Sequence, residues 1–204
     1  MWQALFPLVR VVALALFKMT LEGRDRIPKR GPYIVVANHI DWKDPPAIEI
    51  TFRVAIRFMA KIESFGMFFL GGLMRGIGCF PVRRGEGDRR AVVTSLQVLR
   101  AGNALGFFPE GTRSRDRKLH RAHPGIAFLA QKSGAPILPV GVTGTPEAKL
   151  LRSNIHVRVG EPFHVADLRL APGASEQEIA DGIMRRVAVL LPLQMRGYYA
   201  DDGG

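Results

Sequence analysis

The chain has 204 residues, 47% of them apolar and 23% charged, a balance that supports a folded core and excludes an intrinsically disordered segment. Lysine and arginine outnumber aspartate and glutamate 29 to 18, giving a net charge of +11, so the expected partners are anionic: nucleic acid, an acidic membrane surface or phosphorylated substrates. A single cysteine, Cys79, excludes an intramolecular disulfide framework and an all-cysteine metal site, and makes a reducing compartment the default.

The N-terminal apolar stretch is broken by Arg10 and Lys18 and is too short to span a bilayer, which needs roughly 20 apolar residues. It also fits a secretory signal poorly, because Arg10 lies inside the apolar segment and no small-residue cleavage site follows Phe17. Leu5, Leu8, Val12, Leu16 and Met19 recur at three- or four-residue steps. That periodicity predicts an amphipathic membrane-associating helix over 1–21, with Arg10 and Lys18 reaching towards headgroups; a helix packed on the protein's own core is the alternative.

After it, apolar runs alternate with helical patterns. Strands are predicted at Tyr33–Ala37, Val54–Ala60, Ile77–Val82, Ala104–Pro109, Ile137–Val142 and Ile155–Val159. Asp88 is placed to cap a helix carrying Val92, Leu96 and Leu99 on one face, and Ser175 with Glu178 forms a capping box before Ile179, Ile183 and Val187. Alternation of this kind predicts an α/β domain over 22–204, with a mainly parallel central sheet flanked by helices. Ligands in such sheets bind outside the carboxyl ends of the strands, so the polar residues there are the candidates.

The first predicted strand runs into Asn38 and His39, and Asp44 follows five residues after the histidine. Histidine is suited to general-base work near neutral pH, and a carboxylate on its second nitrogen would fix the tautomer and stabilise the imidazolium. Asp44 ahead of Pro45 and Pro46 also has the form of a helix N-terminus, so spacing alone leaves two readings open.

The run Phe108-Pro109-Glu110-Gly111-Thr112-Arg113-Ser114 delivers a carboxylate to a strand end, a glycine for a tight turn and a guanidinium suited to phosphate. Thr112 and Ser114 offer further donors; a surface Glu110–Arg113 ion pair is the competing interpretation. Phe80-Pro81-Val82-Arg83 exports another arginine at a strand end, where phosphate binding and simple exposure are both open. Pro136 to Val140 is proline-rich for a central strand, and reads as a site wall.

Taken together these four segments resemble the 1-acyl-sn-glycerol-3-phosphate acyltransferases of the glycerolipid acyltransferase superfamily. That family's N-H-x4-D motif is matched by Asn38, His39 and Asp44, and its F-P-E-G-T-R-S motif residue for residue by Phe108 to Ser114. Phe80 to Arg83 and Pro136 to Val140 match its other two motifs more loosely, and the resemblance covers roughly Gly23 to Gly160. It implies the superfamily's α/β fold and an O-acyltransferase passing an acyl group from acyl-CoA or acyl carrier protein to a lysophospholipid hydroxyl. His39 and Asp44 would be catalytic, and Arg83, Glu110, Gly111, Thr112, Arg113 and Lys61 would bind substrate. No cofactor, metal or nucleic acid is expected, and the setting would be the cytoplasmic face of an anionic membrane.

Two departures stand out. Asp41 occupies a position where many members have serine, and His123 stands in the stretch where many relatives carry a phosphate-binding lysine. Phe65 to Met74 matches the region associated with the acyl-chain pocket, with ordinary core packing as the alternative. The sequence has no G-x-S-x-G elbow, and Cys79 lies in an apolar run where a thiol behaves as a small hydrophobe.

Overall fold

The computed structural model describes residues 11–14, 16–52, 54–66, 72, 74, 78–82, 89–150 and 154–200. Seven strands form one sheet: β1 (Met19–Glu22), β2 (Tyr33–Ala37), β3 (Ile56–Lys61), β4 (Phe80–Val82), β5 (Ala104–Phe107), β6 (Ile137–Thr143) and β7 (Ile155–Val159). Their order is β1-β7-β6-β2-β5-β3-β4. Every neighbouring pair is parallel except β6 with β7, which run antiparallel. The expected architecture is therefore present.

All five residues of β2 are buried, because helices cover both faces of the sheet and a strand alternates its side chains between them. Tyr33, Val35 and Ala37 pack with Ala47, Ile48 and Phe52 of α1 (Asp44–Phe52). Ile34 and Val36 belong to the opposite cluster, with α2 (Arg89–Arg100), α3 (Gly125–Ser133) and α4 (Glu176–Ala188). The Ser175–Glu178 capping box starts α4 as its sequence predicts: Glu178 N donates to Ser175 Oγ and Ser175 N to Glu178 Oε2. Asp88, read as the cap of α2, lies outside the described residues.

Two expectations are corrected. The N-terminal helix does not run through Met19, because Met19–Glu22 are strand, paired in register with Ile155–Arg158. Helical residues are present at 11–14 and 16, and Phe17 N donates to Ala13 O. A boundary at residue 21 would thus cut the sheet's edge strand; the ladder to β7 outweighs the continuing three- and four-residue periodicity. Val11 and Val12, in the helical part, are exposed.

The second correction concerns the proline-rich segment: it is a strand, as predicted over Ile137–Val142, but a central one, with β2 on one side and β7 on the other. Pro139 lies opposite Val36 of β2 and one residue before the first β6–β7 pair, Val140 with Val159. Ile137 directs both its N–H and its carbonyl to Phe163 on the β7 side, so Pro139, two residues on, turns its missing N–H the same way. There the β6–β7 ladder has not yet begun, and Pro139 O accepts from Gly160 N at 2.9 Å. Among the described residues no helix is long and apolar enough to cross a membrane.

Candidate active site

The site lies at the carboxyl ends of β2, β5 and β6, three strands side by side and parallel. Asn38 continues β2 and locks it to β6 by a reciprocal pair: its Nδ2 donates to Val142 O at 2.9 Å and its Oδ1 accepts from Val142 N at 2.7 Å. The next residue, His39, is thereby carried to the sheet's edge on a fixed backbone.

Asp44 folds back on it. His39 Nδ1 lies 2.9 Å from Asp44 Oδ2, and the same oxygen accepts from Ile40 N and Asp41 N, each at 2.7 Å. Asp44 is also the first residue of α1, so the helix start and the contact with the imidazole coexist at this one aspartate. Its other oxygen, Oδ1, accepts from Thr145 Oγ1 at 2.5 Å. A carboxylate facing this many donors is served best when ionised, which assigns the ring proton to Nδ1 and leaves Nε2 as the acceptor. The imidazole retains 10% of its surface while Asp44 has none, so only the histidine can meet a substrate. Its ring stacks on Phe108 with centroids 4.2 Å apart, and Phe108 stacks in turn on Phe58 at 5.6 Å. Thr145 is the member that sequence reading missed; nothing local marks a threonine 101 residues away from its partner.

Glu110, expected to bind substrate, is engaged on all sides by the protein itself. It is buried, and its oxygens accept from His39 N at 3.0 Å, from His120 N at 3.0 Å and from Ser114 Oγ. Burial pushes its carboxyl above the usual carboxylate range, against the pull of these hydrogen bonds. Glu110 is thus a brace between His39 and the loop 111–120, and no Glu110–Arg113 ion pair is seen among the described residues.

Gly111 makes the turn that the motif requires. Its φ is +68°, its N donates to Phe108 O, and a Cβ there would stand 3.0 Å from His123 Cδ2. Ser114 N then returns to His39 O at 2.8 Å, setting exposed Arg113 one residue from the histidine backbone. Thr112 is exposed beside it. His123 is tied by its N–H to Pro109 O, so its imidazole flanks the same turn. Asp41 is engaged by Lys43, its Oδ1 lying 3.0 Å from Lys43 Nζ. Arg83 lies outside the described residues, as does most of the predicted acyl-chain segment 65–74; of Lys61 only the backbone, at the end of β3, is described. Cys79 is half-buried before β4, and burial, reinforced by Glu49, pushes its thiol up to about 12, unlike an activated nucleophile.

Fold and site together define the class: an α/β protein with a histidine–aspartate pair at the carboxyl edge of a mainly parallel sheet. The chain belongs to the acyltransferase family, whose model matches residues 18–143. It is 29% identical over 154 residues to the 1-acyl-sn-glycerol-3-phosphate acyltransferase of Bacillus subtilis, covering 74% of this chain and 76% of that one. It is 30% identical over 147 residues to the lyso-ornithine lipid O-acyltransferase of Pseudomonas aeruginosa, covering 70% and 55%. The crystal structure of the 1-acyl-sn-glycerophosphate (LPA) acyltransferase from Thermotoga maritima superposes with a TM-score of 0.67 at 25% identity, covering 84% of this chain and 70% of that one. The alignments span only about half of several relatives, 49% and 55% for two algal and plant acyltransferases.

Proposed function

We propose that the protein transfers an acyl group from acyl-CoA or acyl carrier protein to the sn-2 hydroxyl of lysophosphatidic acid, giving phosphatidic acid at the cytoplasmic face of a membrane. The observation that carries this reading is the His39–Asp44 contact, set beside the arginine-bearing loop that follows β5 at the sheet's carboxyl edge. His39 Nε2 takes the proton of the acceptor hydroxyl while Asp44 holds the ring and stabilises the imidazolium. The acceptor oxygen attacks the thioester carbonyl, a C–O bond forms, the C–S bond breaks, and the departing thiolate takes up the proton from the imidazolium. Arg113, together with Arg83, binds the acceptor phosphate, and Lys61, Gly111 and Thr112 complete the substrate-binding set. Glu110 supports that set from behind by fixing the His39 backbone.

A lyso-ornithine lipid is the second acceptor to consider, because one relative bears that activity in its name. An amine-bearing headgroup calls for an unengaged carboxylate, yet Asp41 is held by Lys43 and Asp44 by His39. By contrast, Arg113 and Arg115 are exposed with no ion pair among the described residues, which favours the phosphate.

The test is release of free CoA from oleoyl-CoA with detergent-dispersed lysophosphatidic acid, beside lyso-ornithine lipid, acyl carrier protein as donor carrier, and a no-acceptor control. Acceptor-dependent release with phosphatidic acid as product is expected, and His39→Ala should lower turnover by about 100- to 10,000-fold. Near-normal turnover in that variant would remove His39 as the base; faster transfer to the ornithine lipid would replace the acceptor.

A further inference from the structure

We propose that the rim of the active site docks onto an anionic lipid bilayer, with Trp42 entering the interface beside His39. The proposal rests on the reading above, that the acceptor is a membrane lipid, and names the surface that meets the membrane. Its basis is that three of the ten exposed large apolar side chains among the described residues follow strand ends at the active-site edge, the others standing at Val11, Val12, Val93, Leu170, Val189, Leu193 and Tyr198. Trp42 is 62% exposed, Leu150 58% and Ile62 40%. Each follows the carboxyl end of a strand: Trp42 after β2, Ile62 after β3 and Leu150 after β6. These strands lie together in the order β6-β2-β5-β3 and all run parallel, so their loops emerge at one edge of the sheet. A single exposed apolar residue is ordinary on a soluble surface. Three at one edge, around a histidine whose substrate carries an acyl chain, mark a face built for lipid.

Trp42 is also fixed relative to the chemistry. It lies in the turn closed by Asp44 N to Asp41 O, between the catalytic histidine and its aspartate. The loop bearing Leu150 is tied to the same aspartate through Thr145. An indole combines an apolar body with an N–H tip and settles at headgroup depth, and the Asp41-paired Nζ of Lys43 lies 5.6 Å from its ring centroid.

Charge on this edge complements an anionic surface. Asp41 is paired with Lys43, Glu147 with Arg117, and Asp116 with His120. Arg113, Arg115, Lys118 and Lys149 remain exposed in excess on the loops after β5 and β6.

The experiment uses the full chain with Trp2→Phe, which leaves Trp42 as its one tryptophan. The probe is a vesicle of phosphatidylglycerol and phosphatidylcholine with brominated acyl chains. In bound protein, Trp42 emission should shift to the blue and lose at least about half its intensity to bromine, and added salt should release the protein. Trp42→Ala should weaken partition at least about tenfold, the worth of burying one large apolar side chain. Bound protein with unshifted, unquenched Trp42 overturns the proposal, as does failure to bind vesicles at all. A blue shift that grows with protein concentration in the absence of lipid, with a dimer in sedimentation, assigns the face to a second copy and overturns it too. Acyl transfer to detergent-dispersed acceptor, measured separately on the unmodified chain, tells the two failures apart. Transfer without quenching defeats the docking surface alone, and quenching without transfer to any acceptor defeats the enzymatic reading alone.

Discussion

Replacing Thr145 by valine tests how tightly Asp44 is held. The substitution keeps volume and β-branching but removes the hydroxyl that donates to Asp44 Oδ1 at 2.5 Å. Both residues are fully buried, so water does not take the hydroxyl's place without a rearrangement. A hydrogen bond to a charged group is worth about 1.5–3 kcal/mol, and the valine methyl leaves a carboxylate oxygen facing an apolar group. Urea unfolding of Thr145→Val should therefore show a loss of about 1.5–3 kcal/mol at unchanged slope. The cost to catalysis comes through the orientation of the histidine: kcat should fall about tenfold, the value of roughly 1.4 kcal/mol at the transition state, with KM little changed. Thr145→Ser, which restores the donor, should recover most of both. A valine variant within about 0.5 kcal/mol of the parent in stability and equal to it in kcat would refute the argument, because the hydroxyl would then contribute nothing to holding Asp44.

Other consequences can be checked alongside it. Gly106 of β5 leaves no room for a side chain, since a Cβ would fall 2.2 Å from the Phe58 ring. Gly106→Ala should cost about 1–3 kcal/mol by overpacking and, through the Phe58–Phe108–His39 stack, lower kcat more than it raises KM; unchanged stability would show that Phe58 moves freely. Burial raises the Glu49 carboxyl from 4.5 to about 8, with the Arg57 charge opposing. The folded chain thus keeps a proton that the unfolded chain releases above 4.5, so this contribution to stability is whole below that pH and declines as the pH rises to about 8. Glu49→Gln should remove the decline and add up to about 5 kcal/mol above pH 8; the same slope in the variant would contradict the assignment. With its thiol held protonated, Cys79 should react with Ellman's reagent at pH 7 at least about 100-fold more slowly in the native than in the unfolded chain, and Cys79→Ser should keep acyl transfer. Rapid native labelling, or a burst of thioester-bound acyl group, would reopen covalent catalysis.

The strands that emerge from local pattern are those with a continuous or strictly alternating run of buried residues. Tyr33–Ala37 and Ile155–Val159 coincide with β2 and β7, because a continuous or alternating apolar run has one good solution in a covered sheet. Met19–Glu22 escaped notice because it is an edge strand of four residues whose partner lies more than 130 positions away, while the same residues continue a helical spacing. Pro139 misled for a related reason. A proline disqualifies a central strand only where its nitrogen is needed, and the point at which the β6–β7 ladder starts is a matter of tertiary register.

His39, Asp44 and the run from Phe108 to Ser114 are compact in sequence, so their chemistry and their likeness to a family could be read directly from the chain. Their roles were divided by folding. Two carboxylates stood near the histidine in sequence, and the turn at 41–44 gave Asp44 to the imidazole and Asp41 to Lys43. The family resemblance implied a substrate-binding Glu110 and its closeness to Arg113 suggested an ion pair, yet the folded carboxylate faces inward onto backbone N–H groups of His39 and His120. Thr145 joined the site only because β6 lies against β2, and Trp42, Ile62 and Leu150 came to share an edge only because their strands run parallel. Sequence determined which groups were on hand, since residue identity carries acidity, charge and hydrogen-bonding capacity. Tertiary structure decided which of them met, because contacts across the sheet depend on strand order and register, and these are chosen by burial of the whole core rather than by any local segment.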